Sequence, residues 1–230
     1  MKLSDKTLTI LRNYASINSN VLIQPGTALK TVNDSMSIFA TTETDDVFPV
    51  KVGIYDLTEF LAIISLLDEG NIDFDFRENN VLITNGKAKT NYFYADPRVL
   101  KQYPQNDIQM PDPFVTFTIS GATLGQLKQA ATIFGHPNIS FYSDGSVIFA
   151  RVFDLQTPDG SDFVVDVATM EEPVEFNYIF EIGNFKYLVQ SDSYNIALAA
   201  KGKGKIAKIK SLEPKIDYFV VASSASVLNE

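Results

Sequence analysis

Residues 8–17, LTILRNYASI, and residues 124–133, LGQLKQAATI, carry apolar and polar residues in the same order. Both read Leu-x-x-Leu-basic-x-x-Ala-x-Ile, with Arg12 as the basic residue of the first stretch and Lys128 as that of the second. On a wheel of about 100° per residue, the apolar residues of each stretch fall on one side and the basic residue on the other. The sequence therefore predicts two matching amphipathic helices.

These helices are expected over residues 4–17 and 122–134. Ser4 or Asp5 can cap the first helix, because the side-chain oxygen of either residue can accept a hydrogen bond from a backbone amide of the first turn. The dipeptide Ile133-Phe134 is assigned to the apolar face of the second helix. Each apolar face is expected to pack against a sheet.

A second pair of matching segments follows in each half of the chain. A strand is predicted at residues 52–55, with a helix starting at Asp56, and another strand at residues 178–180, with a helix starting at Glu181. An acidic residue suits the positive N-terminal end of a helix dipole. We infer that the two halves of the chain share one architecture.

Alternating apolar residues predict β-strands between the helices, for example over residues 36–40, 72–76 and 115–119. The turn signals between strands are Asn79-Asn80, Asn85-Gly86, Asp144-Gly145 and Asp159-Gly160. Each half thus reads as helix, strands, helix, strands. The predicted fold class is α+β, with helices packed on one face of antiparallel sheet in two similar domains.

Prolines mark the boundary between the halves: Pro97, Pro104, Pro111 and Pro113. Proline favours an extended connector over a packed strand. We therefore expect a connector at about residues 95–113, with domains at residues 1–108 and 109–230.

The composition leaves little material for catalysis. The chain has no cysteine, a single histidine and a formal net charge of −9, so disulfides and thiolate metal sites are excluded. His136 is expected to be structural, because no partner for a catalytic triad or metal site accompanies it. No motif selects a carboxylate pair from Asp73, Asp75, Asp162 and Asp166, so we predict no enzymatic activity, no metal and no cofactor.

No targeting or membrane segment is predicted. The first residues contain no apolar signal-peptide core, and the longest apolar stretch, residues 60–67, is too short to cross a bilayer. A soluble intracellular protein is expected.

Two similar halves joined by a proline-containing connector resemble the fold of DNA polymerase sliding clamps, and the local motifs resemble the clamps of T4-like phages. These motifs are Met1-Lys2-Leu3-Ser4, Tyr14-Ala15-Ser16-Ile17-Asn18-Ser19, Ile54-Tyr55-Asp56-Leu57, Ala95-Asp96-Pro97, Ala200-Lys201-Gly202-Lys203 and Tyr218-Phe219-Val220-Val221. The resemblance spans essentially the whole chain.

The resemblance implies a head-to-tail homotrimer that encircles duplex DNA, with helices lining the hole and sheets outside. It further implies an ATP-dependent clamp loader, the replicative DNA polymerase and late-transcription factors as partners, in the cytoplasm of an infected host cell. It also places a subunit joint at edge strands near residues 87–93 and 162–167.

The resemblance and the repeat together suggest two sets of functional residues. The expected DNA-facing residues are Lys6, Arg12, Lys128, Lys186, Lys201 and Lys203. The connector residues expected to border a groove for partner peptides are Tyr94, Leu100, Tyr103 and Pro104. Basic residues on one face would contact phosphate without reading the base sequence.

Other interpretations stay open at this point. The negative net charge is unusual for a DNA-binding protein, and a β-rich phage structural or assembly protein would need no basic helix faces. A small carboxylate-dependent hydrolase is disfavoured, because no motif in the sequence selects a set of catalytic residues. The lysine-rich segment at residues 201–205 reads as a hairpin loop, with DNA contact near the rim as the alternative, and the connector aromatics could simply seal the domain junction.

Overall fold

The computed structural model describes residues 1–67, 72–157, 159–201 and 204–229. Its helices are α1 (Asp5–Ile17), α2 (Leu57–Leu66), α3 (Gly121–Phe134) and α4 (Ile182–Lys186), with a short 3-10 helix at Pro97–Val99. Its strands are β1 (Val21–Ile23), β2 (Gly26–Val32), β3 (Ile38–Phe48), β4 (Val52–Ile54), β5 (Asp73–Phe76), β6 (Asn80–Thr84), β7 (Lys89–Phe93), β8 (Val115–Ser120), β9 (Asn138–Phe153), β10 (Phe163–Glu181), β11 (Ser193–Lys201), β12 (Gly204–Ser211), β13 (Asp217–Val221) and β14 (Val227–Asn229). The predicted α+β class is confirmed.

By contacts the chain divides into two compact units. Unit 1 comprises Met1–Asp107 and Pro214–Ile216, and unit 2 comprises Ile108–Glu213 and Asp217–Glu230. That the two units are copies of one clamp domain stays a prediction. No described helix is both long and apolar enough to span a membrane.

Unit 1 packs α1 and α2 against short antiparallel sheets. β1 pairs with β4, β2 with β3, and β5, β6 and β7 form a three-stranded sheet in that order. The core residues of α1 recur every three or four positions and include Leu8, Leu11 and Tyr14, each at most 3% exposed. This spacing places them on one side of the helix, as predicted.

The N-terminus of α1 is fixed to β3 by hydrogen bonds. The Ser4 side chain accepts from the Thr7 amide, and both the amide and the hydroxyl of Ser4 donate to Asp46 Oδ2 at 2.8 Å. Burial raises the pKa of Asp46, but hydrogen bonds from Thr7 and Ser4 and the charge of Lys6 outweigh it and lower the pKa. The cap therefore sets the direction in which α1 leaves the sheet.

Unit 2 contains two antiparallel sheets and the helices α3 and α4. One sheet orders its strands β13, β12, β11, β8, and the other β14, β10, β9. Ser120 caps α3 by accepting from the Thr123 amide at 3.0 Å, and Gly135, with φ of 71°, ends it in the left-handed conformation. The buried residues Leu124 and Leu127 direct the helix into the core.

Two details of the sequence interpretation are wrong. Ile133 and Phe134 are 71% and 46% exposed. Ile133 follows Leu124 by nine residues, which is about half a turn at 100° per residue, so it points away from the core. Asp144-Gly145 does not join two strands but lies within β9, opposite β10.

The second helices of the two halves differ in length. α2 has 10 residues, and its cap Asp56 accepts from the amides of Thr58 and Glu59. α4 has only 5 residues, and its cap Glu181 makes no side-chain hydrogen bond. The short α4 leaves the first half of α3 beside the loop that follows residue 187.

Two glycines of α3 provide a matched test of this packing. A Cβ at Gly121 would lie 2.1 Å from the carbonyl oxygen of Ser191, whereas a Cβ at Gly125 would meet nothing within 4 Å. Gly121→Ala is therefore expected to destabilise the protein by about 2 kcal/mol through overpacking. Gly125→Ala should stabilise it by up to about 1 kcal/mol, because alanine is the better helix former.

Urea unfolding at constant pH measures both free energies. Equal effects of the two substitutions would contradict the close approach between α3 and Ser191.

Candidate nucleic-acid interface

Helix α1 presents a polar face with one central basic residue. Lys6, Thr9, Arg12 and Ser16 are exposed, opposite the buried apolar residues. Lys6 is also bonded to Asp45 of β3, with Nζ 3.3 Å from Oδ2. Because both partners are well exposed, this ion pair is weak and reduces the positive charge of the face only in part.

Helix α3 presents the matching face in unit 2. Gln126, Gln129 and Thr132 are exposed there, and Lys128 is half-buried. Burial lowers the pKa of Lys128, because it disfavours the charged form of the ammonium group. Arg12 and Lys128 thus occupy equivalent positions on two helices, as the repeat predicted.

The remaining residues predicted to face DNA are less well grouped. Lys186 is exposed at the end of the short α4. Lys201 ends β11, but its side chain lies outside the described part, as does all of Lys203. Lys201 pairs with Gly204 at the end of the β11–β12 ladder, and the loop predicted at residues 201–205 lies in part outside the described residues.

Sequence reasoning gave little weight to the basic residues of β12. Ala207, Ile209 and Ser211 are buried, so the alternating Lys208 and Lys210 point to the other side of the strand. Lys208 lies 2.8 Å from Asp217 and over the ring of Phe219. The alternation of buried and polar residues along β12 would have been enough to predict that Lys208 and Lys210 lie on a sheet face and not on a helix face.

A cavity of about 840 Å³ adjoins α3 in unit 2. Gly121, Gly125 and Lys128 line one side, and Ser191 and Asp192 line another. The amide of Gly121 donates to the Asp192 carbonyl at 2.7 Å. The cavity therefore lies where the short second helix leaves α3 uncovered.

The connector lines a smaller cleft in unit 1, of about 360 Å³. Its lining residues are Leu22, Gln24, Ala28, Lys30, Gln102, Tyr103, Pro104 and Gln105. The Tyr103 ring packs edge-on against Phe39, with 5.9 Å between the centroids, and Lys30 Nζ lies 5.6 Å from its centroid. Two of the four predicted groove residues, Tyr103 and Pro104, therefore line this cleft.

The other two predicted groove residues lie elsewhere. Leu100 is 6% exposed and lies close to Gly53 in the core of unit 1. Burial and the nearby Asp75 raise the pKa of Tyr94 to about 12. Among the described residues its hydroxyl has no hydrogen-bond partner. An apolar or aromatic residue in a connector can be either buried in the core or exposed. The amino-acid composition of the connector does not predict which of the two occurs.

Each unit has a strand edge that pairs with no described strand. β7 is the last strand of its sheet, and Lys89 and Phe93 on it are exposed, Phe93 by 73%. In unit 2, residues 163–169 pair with β9 on one side, and no described strand pairs with their other side. Val164 and Asp166 on this stretch are exposed.

Apolar side chains on the neighbouring helices are exposed as well. Leu66 on α2 is 84% exposed, and Ile133 and Phe134 on α3 are 71% and 46% exposed. Phe134 stacks on His136, whose Nε2 lies 2.6 Å from the Ser161 carbonyl. His136 therefore links the end of α3 to the loop before β10.

The carboxylates of unit 1 and unit 2 are dispersed. Asp75 pairs with Arg77 and Asp162 with Arg151, at 2.8 and 2.9 Å. Among the described residues, no group of three or more His, Asp or Glu side chains is placed to hold a metal ion.

The chain is similar in sequence to known replication proteins. Residues 2–101 match the family model described as DNA polymerase processivity factor. The sliding clamp of Vibrio phage KVP40 is 26% identical over 97% of this chain and 100% of its own length. The sliding clamp of Escherichia phage RB69 is 28% identical over 98% of each, and that of Enterobacteria phage T4 is 27% identical over 91% of this chain and 92% of its own length.

Solved structures show the same fold. The proliferating cellular nuclear antigen of Entamoeba histolytica aligns with a TM-score of 0.70 at 14% identity, over 95% of both chains. A. fulgidus PCNA, in a structure with the C-terminal region of FEN-1 bound, aligns with a TM-score of 0.67 at 12% identity, over 97% of this chain and 96% of its own. The resemblance in the sequence is thereby confirmed: over more than nine-tenths of its length the chain is similar to the sliding clamps of T4-like phages.

Proposed function

We propose that three copies of this chain form a closed ring around duplex DNA and tether the replicative polymerase for processive synthesis. The observation that carries this proposal is the equivalent position of Arg12 and Lys128 on the exposed faces of α1 and α3. In a ring these positions recur six times. A lining of isolated basic residues contacts phosphates of any sequence.

Weak contacts suit a protein that moves along DNA. Few charges at separate positions attract the duplex without holding it in one register, and the closed ring prevents escape. The formal net charge of −9 does not oppose this function. Fields from distant carboxylates are screened over about 8 Å at physiological salt, so the DNA responds to the nearby helix faces.

We place the subunit joint at the two free sheet edges. β7 of one copy would add to residues 163–169 of the next, as an antiparallel or parallel strand that satisfies the free backbone groups. Charge is complementary, because Lys87 and Lys89 are exposed at the first edge and Asp162 and Asp166 at the second. Such a head-to-tail contact closes into a ring if the rotation per copy allows it.

The exposed apolar residues support the same joint. Phe93 lies on β7 and Leu66 at the end of α2 in the same unit, while Val164 lies on β10 and Phe134 at the end of α3. Burying them between copies would add hydrophobic stabilisation of roughly 25 cal/mol per Å².

We assign partner binding to the cleft at Tyr103 and Pro104. It combines an apolar floor with the amide side chains of Gln24, Gln102 and Gln105, a composition typical of peptide-binding sites. The bound FEN-1 segment on A. fulgidus PCNA is a precedent for peptide binding on this fold. Polymerase, an ATP-dependent loader and late-transcription factors are the partners we propose, in the cytoplasm of the infected cell, with no catalysis by the clamp itself.

The double substitution Arg12→Glu, Lys128→Glu tests the DNA-facing residues. It should leave assembly intact but lower retention on loaded circular DNA at least tenfold, because it replaces attraction with repulsion at every helix position. Retention is measured by gel filtration of the clamp–DNA complex after loading.

Lys210→Glu is the matched control, since Lys210 is exposed on the sheet and away from the core. If the double variant were retained like the wild type, Arg12 and Lys128 would not be the lining residues.

Phe93→Ser tests the joint. It should shift the midpoint of trimer formation to at least tenfold higher protein concentration, because an apolar anchor of the edge is lost. Light scattering coupled to size exclusion gives the mass across a concentration series.

Tyr55→Ser is the control, because Tyr55 is an exposed aromatic residue of unit 1, like Phe93, but does not lie on β7. This residue is 63% exposed. A wild type that stays at 25.5 kDa at high concentration would overturn the ring and favour a structural protein.

Tyr103→Ala tests the cleft. Polymerase affinity should fall about tenfold or more while the trimer mass is unchanged, because the ring of Tyr103 forms the floor of the cleft. Surface plasmon resonance with immobilised clamp measures the affinity. Val99→Ala, at an exposed position of the connector outside the cleft, is the control. Equal affinity of all three proteins would exclude Tyr103 from the partner site.

A further inference from the structure

The outer edge of β10 is divided into two halves. Residues 163–169 pair only with β9 among the described strands, as noted above. Further along, β14 pairs with Glu175, Phe176 and Asn177 on the side away from β9. One long strand therefore offers a free edge in its first half and a covered edge in its second.

Hydrogen bonds extend the cover beyond β14. The Ile179 amide donates to Ser226 Oγ at 2.9 Å, and the amide of Ser223 donates to the Ile179 carbonyl at 2.7 Å. Ser226 Oγ also donates to that carbonyl at 3.3 Å, and Ser226 is 3% exposed. The buried Ser226 hydroxyl thus makes the hydrogen bonds to Ile179 that the backbone of an additional strand would otherwise make.

An irregularity separates the two halves. Thr169 pairs with Val147 and Val174 with Gly145, so residues 170–173 stand opposite Ser146 alone. Pro173 lies in this bulge, where its missing amide hydrogen costs no ladder bond. A partner strand that adds to residues 163–169 could not continue straight past the bulge.

We propose that residues 222–229 are an edge cover that confines strand addition on β10 to residues 163–169, so that a second copy binds there in one register. This inference rests on the proposed ring, because the strand to be added is β7 of a neighbouring copy. β7 has 5 residues, which fits the free stretch. Without this cover, residues 175–179 of β10 would offer a second site for strand addition.

The register matters because it sets the geometry of the ring. A strand that slips along its partner changes the rotation from one copy to the next, and a contact with no fixed rotation gives open chains in place of one closed ring. The cover therefore acts against wrong assembly, as charges and short strands do at other sheet edges.

The test compares the wild type with a variant that lacks residues 224–230 and with Ser226→Ala. Light scattering coupled to size exclusion should give one trimer mass for the wild type and a broad distribution of masses for the truncated chain. Circular dichroism and thermal unfolding check that the truncated chain is folded.

If the truncated chain does not fold, Ser226→Ala still allows the hydrogen bonds of the cover to be tested. Hydrogen exchange at the Ile179 amide should become roughly fivefold faster or more, the effect of losing one hydrogen bond of ordinary strength. Ser224→Ala, at an exposed neighbouring serine, should leave that exchange rate unchanged.

The outcomes separate this inference from the ring itself. A truncated chain that is folded and forms the same single trimer would overturn the edge cover and leave the ring intact. A wild type that is monomeric at every concentration would overturn the ring. In that case a truncated chain that self-associates would support the cover, and one that stays monomeric would overturn it too.

Discussion

The burial of one apolar stripe by each long helix determines where the charges on that helix can act. Leu8, Leu11 and Tyr14 of α1, and Leu124 and Leu127 of α3, are almost fully buried. Once these residues are in the core, the opposite face of each helix is fixed in orientation without any further interaction. Arg12 is exposed and Lys128 is half-buried on those faces because of apolar packing on the other side.

Sheet edges impose the second constraint. Backbone groups at an edge must be bonded to water, to side chains or to another strand, and an open edge invites pairing with another chain. In unit 2 a single strand, β10, meets this requirement in two ways, with a free stretch at one end and a hydroxyl-sealed stretch at the other. The same strand thereby carries both the proposed assembly surface and the proposed limit to it.

The helices of the two units are held in place by different local interactions. In unit 1 the cap of α1 is held by Asp46, and the second helix is capped by a carboxylate. In unit 2 the second helix is short and lacks such a cap, and Gly121 lets α3 approach the following loop closely. The difference produces a cavity beside α3 and leaves Lys128 partly desolvated.

The sequence by itself determined the helices, the alternation of the strands, the repeat and the family resemblance, because these depend on local spacing. It identified Arg12 and Lys128 as equivalent residues, because a helix converts sequence spacing into a face. It placed Ile133 on the wrong face, although at 100° per residue this position lies about half a turn from Leu124. Only the tertiary structure decided that Leu100 is buried while Tyr103 lines a cleft, and that half of the β10 edge is covered. Those outcomes depend on contacts between residues far apart in the chain, such as Ser226 with Ile179, which no local pattern encodes.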